Sequence, residues 1–256
     1  AEYDIRKEII EKHYIKGIIG LPPNIFFGTG IPASIIIIDK KNKDCRKGIF
    51  VIDAKDGFTK DGAKNRLREQ DIKHIVDAWD AQQTIPHYCR LVEWSEIEKN
   101  DYNLNISRYI QPIDSEIQHD IEAHLHGGLP ATDVENMEIF WKACPTLKDK
   151  LFSGANNGYY SLMPKKEDIN DVIDSDSSYK AQGEAFAKVL NGWKEDVEPK
   201  MMAINQGVHP KELIADWSES LLAKTMEHSG LVDAYDTYDV LLNYWADTMQ
   251  DDCYMI

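Results

Sequence analysis

The stretch that decides the fold is Ile18-Ile-Gly-Leu-Pro-Pro-Asn-Ile-Phe-Phe-Gly-Thr-Gly-Ile-Pro-Ala-Ser-Ile-Ile-Ile-Ile-Asp39. It holds two apolar runs separated by a segment rich in proline and glycine. The first run, Ile18 to Leu21, is broken by Pro22-Pro23-Asn24. The second, Ala33 to Ile38, is mostly β-branched and reads as a strand buried on both faces. Working outward, Gly48 to Ala54 reads as another buried strand, and the polar Lys40 to Lys47 between the two reads as a hairpin turn. Upstream, residues 4 to 13 suit a short helix, with Asp4 as its cap and Ile5, Ile9 and Ile10 on one face. Downstream, Asp56 to Arg68 is a loop containing Gly and Lys. Asp71 to Trp79 fits a helix with Ile72, Ile75, Val76 and Trp79 turned inward.

A parallel sheet needs several strand–helix–strand units. This segment supplies helices and only about three strands, the content of the C-terminal end of a doubly wound, Rossmann-like sheet whose earlier strands lie upstream. The apolar ending Cys253-Tyr254-Met255-Ile256 likewise reads as a cut, so both termini are expected to be truncations. From residue 112 the pattern becomes helical. Phe186, Val189, Leu190, Trp193 and Val197 share one face. Leu213, Ile214, Trp217, Leu221 and Leu222 share a second, and Tyr238, Leu241, Leu242, Trp245 and Met249 a third. Breakers fall at Gly127 to Pro130, Gly154 to Gly158, Gly207 to Pro210 and Ser229-Gly230. The expected fold class is therefore α/β then α, divided into residues 1–111 and a mainly helical region, 112–256.

Composition narrows the setting. Four cysteines without C-x-x-C spacing argue against a zinc site or a disulfide scaffold, and a reducing cytoplasm is the natural location. Neither a signal peptide nor an apolar run long enough for a bilayer is present in the chain. With 44 Asp and Glu against 29 Lys and Arg, the net charge is −15. A module that grips DNA through its phosphates shows a basic footprint instead. The chain therefore either leaves the main DNA grip to others or borrows positive charge from a partner. The aspartates at 168, 171, 174 and 176 read as a solvated loop and helix start, since the glycine and closing glutamate of an EF-hand are not in place.

The opening stretch closely resembles the modification subunit of type I restriction-modification systems. Further blocks carry the resemblance: Phe50-Val-Ile-Asp-Ala54, Asn65-Arg-Leu67, Asp101-Tyr-Asn-Leu-Asn-Ile-Ser-Arg-Tyr109, Asp120-Ile-Glu-Ala-His-Leu-His-Gly-Gly128 and Tyr244-Trp-Ala-Asp-Thr-Met-Gln-Asp-Asp-Cys253. The resemblance implies methyl transfer from S-adenosyl-L-methionine to the N6 of a DNA adenine that has left the helical stack. It also implies a Gly-rich cofactor turn and an [Asn/Asp/Ser]-Pro-Pro-[Tyr/Phe] catalytic motif, and this sequence contains neither. Leu21-Pro22-Pro23-Asn24 has the wrong flanking residues: leucine cannot accept the amino hydrogen bond and asparagine cannot stack on a base. It reads as a strand-ending turn. No catalytic residue is therefore expected in this chain, no cofactor is expected bound to it, and it should be inactive alone.

By the same resemblance, Phe26 or Phe27 stacks on the flipped base, and Gly28, Thr29 and Gly30 allow close backbone approach. The alternative is core packing for one phenylalanine, a partner contact for the other, and a plain loop at the glycines. Lys64, Asn65, Arg66 and Arg68, with Lys60, form the basic cluster near this face, as DNA phosphate contacts or as solvated loop charges. His119, His124 and His126 with Glu122 invite a metal reading. Their H-x-H spacing on a helix instead favours helix-end hydrogen bonding. Trp141, Trp193, Trp217 and Trp245 sit among apolar residues as core. The implied partners are the specificity subunit and the nuclease subunit of the same system, docked on the helical region, and double-stranded DNA in the complex. A non-catalytic helical interaction module is the competing reading.

Overall fold

The structure is a computed structural model that describes residues 2–26, 28–111, 120–228 and 230–255. Its contacts divide the chain into two compact units, residues 1–116 and 117–256.

The first unit contains α1 (Glu2–Glu11), β1 (Ile15–Gly20), β2 (Ser34–Ile38), β3 (Gly48–Asp53), β4 (Thr59–Asp61), β5 (Lys64–Arg66), α2 (Glu69–Ala81), β6 (Cys89–Glu93) and α3 (Trp94–Lys99). Its main sheet has the order β2-β1-β3-β6. β1 is antiparallel to β2, in a register running from Ile15↔Ile38 to Gly20↔Ser34 with a bulge near Ile15. β1 is parallel to β3, from Gly17↔Phe50 to Gly20↔Asp53. β3 is antiparallel to β6. Side chains alternate across the sheet as the strand period requires. Ile18, Ile49 and Val51 enter one core with Ile10, Ile97 and Tyr109, while Ile19, Phe50 and Ile52 enter the other with Ala78 and Cys89. Helices α1 and α3 thus contribute to one face and α2 to the opposite face. Gly17 is needed here: a Cβ would lie 2.2 Å from the Trp79 ring, so only glycine lets that indole rest on the sheet.

Four expectations fail in this unit. Lys40 to Lys47 is no hairpin turn, because β2 and β3 are not neighbours and the segment crosses over to reach the far side of β1. Two apolar strands close in sequence do not encode which strand lies between them. Arg46 pins the crossover, donating to His13 O at 2.9 Å and pairing with Asp39 at 3.0 Å. Second, β2 is not buried on both faces: Ile35, Ile36 and Ile38 are 47%, 51% and 58% exposed, and only Ile37 packs against the core. It is the edge strand, with no neighbour on its outer side among the described residues. Third, α2 turns Ile75, Ala78 and Trp79 inward and leaves Ile72 and Val76 exposed. The helix carries two apolar stripes and this unit buries one. Similarly, α1 starts at Glu2, so Asp4 lies inside its first turn, and Ile5 is exposed while Ile9 and Ile10 pack.

The second unit contains α4 (Ile121–His126), β7 (Leu129–Pro130), α5 (Ala131–Glu135), α6 (Glu138–Ala143), α7 (Leu147–Leu151), β8 (Phe152–Asn156), β9 (Tyr159–Leu162), α8 (Ile169–Ser175), α9 (Ser177–Met202), α10 (Pro210–Glu227), α11 (Ala234–Thr248) and α12 (Gln250–Met255). The expected helices are present. The Gly154 to Gly158 breaker, however, is the turn of a hairpin within a three-stranded sheet ordered β7-β9-β8. Asn157 and Gly158 both have positive φ, 52° and 87°, which suits a tight hairpin connection. One core lies among the long helices, where Trp217 meets Trp245 edge-on at 5.8 Å and Trp193 packs against them. A second core holds Cys144, Leu147 and Leu151, with Trp141 against it.

Asp176 departs from the solvated reading of its cluster. Its side chain is fully buried, capping α9 through the backbone N–H groups of Ser178 (2.8 Å) and Tyr179 (3.0 Å). It also accepts from Thr146 Oγ1 and Lys150 Nζ, each at 2.8 Å. Lys150 first, with the hydroxyl and amide donors, holds the carboxyl well below its usual range. No helix among the described residues is long and apolar enough to cross a membrane.

Candidate functional site

Two loops leave the C-terminal ends of the parallel pair β1 and β3: residues 21–33, and the segment after Ala54 that carries the β4–β5 hairpin. That end of the strands is where open α/β sheets bind their ligands. The first loop is anchored at its base by Leu21 N–H donating to Ala33 O at 2.8 Å, and by the fully buried Pro22. β1 ends at Gly20 and the chain turns at Pro23-Asn24, with Asn24 at φ 56°. Leu21 to Asn24 is thus a strand-ending turn in the structure. Phe26 projects into solvent, 58% exposed, and Ile31 is 75% exposed. Phe27 lies outside the described residues. Gly28 has φ 76° with open space around it, and Thr29 Oγ1 accepts from Ile31 N–H at 3.1 Å.

The hairpin β4–β5 pairs Lys60 with Asn65 and Thr59 with Arg66. Asn65 then joins the two loops. Its backbone N–H donates to Asn24 O at 3.1 Å and its side-chain Nδ2 donates to Pro23 O at 2.8 Å. The sequence placed Asn65 with the phosphate contacts, yet its donors here are turned to the phenylalanine-bearing loop. Arg68 is also committed. Its guanidinium meets Asp71 at 2.9 Å through both Nε and Nη2, and Asp71 reaches back to the Arg68 backbone N–H to start α2. Lys60 and Arg66 are exposed on the hairpin, and Lys64 is half-buried. One feature escaped sequence reasoning: Asp53, at the end of β3 opposite Gly20, pairs with Lys55 at 2.9 Å. A carboxylate at the C-terminal end of a buried strand was the available signal.

His126 meets Glu122 at 3.0 Å across one exposed turn of α4, and His119 lies outside the described residues. Asp120 caps α4 by accepting from Ala123 N–H at 3.0 Å, and Tyr159 donates to its other oxygen at 2.8 Å. These bonds lower the Asp120 pKa. Among the described residues there is no group of three or more His, Cys, Asp or Glu suited to a metal ion.

Charge divides with the units. Residues 1–116 hold 19 acidic and 18 basic side chains, whereas residues 117–256 hold 25 and 11. The acidic excess belongs almost wholly to the second unit, leaving the loop-bearing sheet near neutral.

Residues 1–118 match the family model described as N-6 DNA Methylase. The chain is similar to the type I restriction enzyme MjaVII methylase subunit of Methanocaldococcus jannaschii, 39% identical over 128 residues, covering 48% of this chain and 22% of the relative. The MpnII methylase subunit of Mycoplasma pneumoniae is 32% identical over 109 residues, covering 43% and 20%. A solved type I restriction-modification methyltransferase subunit from Streptococcus thermophilus shares 38% identity, covering 44% of this chain and 23% of that one, with a TM-score of 0.41. The chain thus spans about a fifth of the length of the curated relatives it matches.

Proposed function

We propose that this chain is part of an adenine-N6 DNA methyltransferase subunit of a type I restriction-modification system, a cytoplasmic assembly using S-adenosyl-L-methionine. Its α/β unit, residues 1–111, is the C-terminal end of a Rossmann-like methyltransferase sheet and contributes the target-base loop. One observation carries this reading: Phe26 stands exposed at the C-terminal end of β1, on a loop held by Asn65 from a basic hairpin. An adenine rotated out of the duplex needs such a π-face, and stacking on it is worth ~1–3 kcal/mol. Phe27 is the other candidate for that role, with Gly28, Thr29 and Gly30 giving the base room. Lys64 and Arg66, with Lys60, are the proposed phosphate contacts. Asn65 and Arg68 hold the loops that present them.

The edge strand β2 supports the same assignment. An exposed row of isoleucines on an unpaired edge invites another strand and another apolar layer. Methylase polypeptide beyond this chain would supply both. The cofactor does not fit the residues present: the turn directly after β1 is Leu21-Pro22-Pro23-Asn24 rather than glycine, and the carboxylate at the strand ends, Asp53, is taken by Lys55. The chain alone therefore binds no S-adenosyl-L-methionine and transfers no methyl group. The helical unit docks the specificity and nuclease subunits, which accounts for an acidic module in a DNA-modifying complex. The competing reading, an autonomous non-catalytic interaction module, draws on that same unit but leaves the exposed Phe26 loop unexplained.

Calorimetric titration of S-adenosyl-L-methionine into this chain, beside a full-length subunit, tests the proposal. Silence from the chain with clear heat from the full subunit is the expected outcome. Stoichiometric binding to the chain would overturn the assignment of the cofactor site to missing polypeptide.

A further inference from the structure

The second unit carries an apolar groove of about 450 Å³ between α9, α10 and α11. Phe186, Leu190 and Trp193 form one wall, and Val232, Val240 and Tyr244 the other. Val240 and Tyr244 are 69% and 58% exposed, so the lining faces open solvent. The groove continues toward the start of α9 into a second hollow of about 380 Å³ that shares Phe186 and Val232 and reaches Tyr179. From Tyr179 to Trp193 the path follows one helix for about 21 Å at 1.5 Å per residue, the length of a four-turn helix.

Gly183 lies on this path in the first third of α9. Glycine weakens a helix interior relative to alanine, and its usual justifications are positive φ or a crowded neighbour. Neither holds: Gly183 has ordinary helical geometry, and a Cβ built there meets nothing within 4 Å. A missing side chain over a groove permits close approach by something that is not part of this unit.

Charge selects the occupant. Residues 225–256, which include the α11 wall, hold seven carboxylate side chains and no Lys or Arg. Of these Asp236 lines the groove itself, and Asp174 stands with Lys180 in the second hollow; the acidic α11 and α12 side disfavours nucleic-acid phosphates and a second copy of the same acidic unit. We infer that the groove receives an amphipathic helix of a partner protein, apolar along its docking stripe and basic at its flanks. Docking of an apolar helical face into such a groove is a recurrent recognition mode. The inference rests on the reading of the second unit as a docking module and assigns that role to one face.

The test uses a fluorescein-labelled Leu/Lys peptide about 15 residues long, with leucines at helical spacing. A scrambled peptide of equal composition and a Leu/Glu counterpart serve as controls, and anisotropy is read against this chain. The amphipathic Leu/Lys peptide should bind about tenfold tighter than either control, and Val240→Asp should remove that advantage. Gly183→Leu should also remove it while the melting temperature holds or rises, a combination a purely structural glycine would not give. Equal binding of amphipathic and scrambled peptides, or undiminished binding by both variants, overturns the proposal. A type I specificity subunit, offered as a second probe, separates this inference from the function above. Its capture by wild type and Val240→Asp alike puts docking elsewhere and overturns the groove. Selective peptide binding by a chain that fails to capture the specificity subunit supports the groove and removes that partner instead.

Discussion

Asn65→Ala is the substitution that isolates the coupling between the two loops. It removes one half-buried side-chain hydrogen bond, Nδ2 to Pro23 O at 2.8 Å, and leaves the backbone donation from residue 65 to Asn24 O in place. A neutral bond of this kind contributes about 0.5–1.5 kcal/mol net, and the exposed loop lets water reach the vacated carbonyl, so no large burial penalty adds to it. At about 1 kcal/mol the equilibrium for loop opening rises roughly fivefold. Hydrogen exchange reads this directly: the amide of residue 65, which donates to Asn24 O, should exchange roughly fivefold faster once the intrinsic rate of alanine is allowed for, with β3 amides unchanged as an internal control. Asn65→Asp keeps the shape, removes the donor and sets a carboxylate beside the carbonyl, so its effect should exceed that of alanine. Unchanged exchange at residue 65 would refute the clamp. Equal acceleration in β3 would show that Asn65 supports the whole unit rather than the loop.

Other outcomes follow from the edge strand and from the buried carboxylate. Ile36→Lys should reduce self-association of the chain by charging the β2 edge, seen as a later, narrower elution in size-exclusion chromatography; an identical profile would mean that this edge is not the sticky surface. Asp176→Asn should lower the melting temperature of the second unit at neutral pH, since the amide cannot pair with Lys150. The folded pKa of Asp176 lies below the unfolded 3.8, so its contribution is complete above that value and is lost as pH falls toward the folded pKa. The gap in melting temperature between wild type and variant should therefore narrow below pH 3.8, and a constant gap from neutral to acid pH would count against the assigned role.

Much of the local structure was legible. The β-branched runs are strands, Leu21 to Asn24 ends one of them, and Trp217 and Trp245 are core. The family resemblance rested on the same stretch and held over residues 1–118. The candidate site was legible in part. The sequence named the loop bearing Phe26 and the hairpin bearing Arg66, but as separate features. Their connection through Asn65 spans 42 positions along the chain and leaves no local pattern. The commitment of Arg68 to Asp71 has a local signature, an acidic residue three places on, and could have been read.

What the sequence by itself determined was element type, because strand and helix periods are written in the spacing of apolar side chains. It also carried the resemblance to N-6 DNA methylases over residues 1–118, because the Phe-Gly-Thr-Gly-Ile-Pro run before an isoleucine strand is a long, ordered string. Only the tertiary structure decided which strands are neighbours and which apolar residues are covered. Ile35, Ile36 and Ile38 read identically whether buried or exposed, and β2 is an edge because β1 takes the place beside β3. Burial is a property of what lies opposite a side chain, and a strand's own residues do not specify that. The same reason hid Asp176: four aspartates at similar spacing look alike, and only the convergence of Thr146, Lys150 and the start of α9 on one of them takes it out of water.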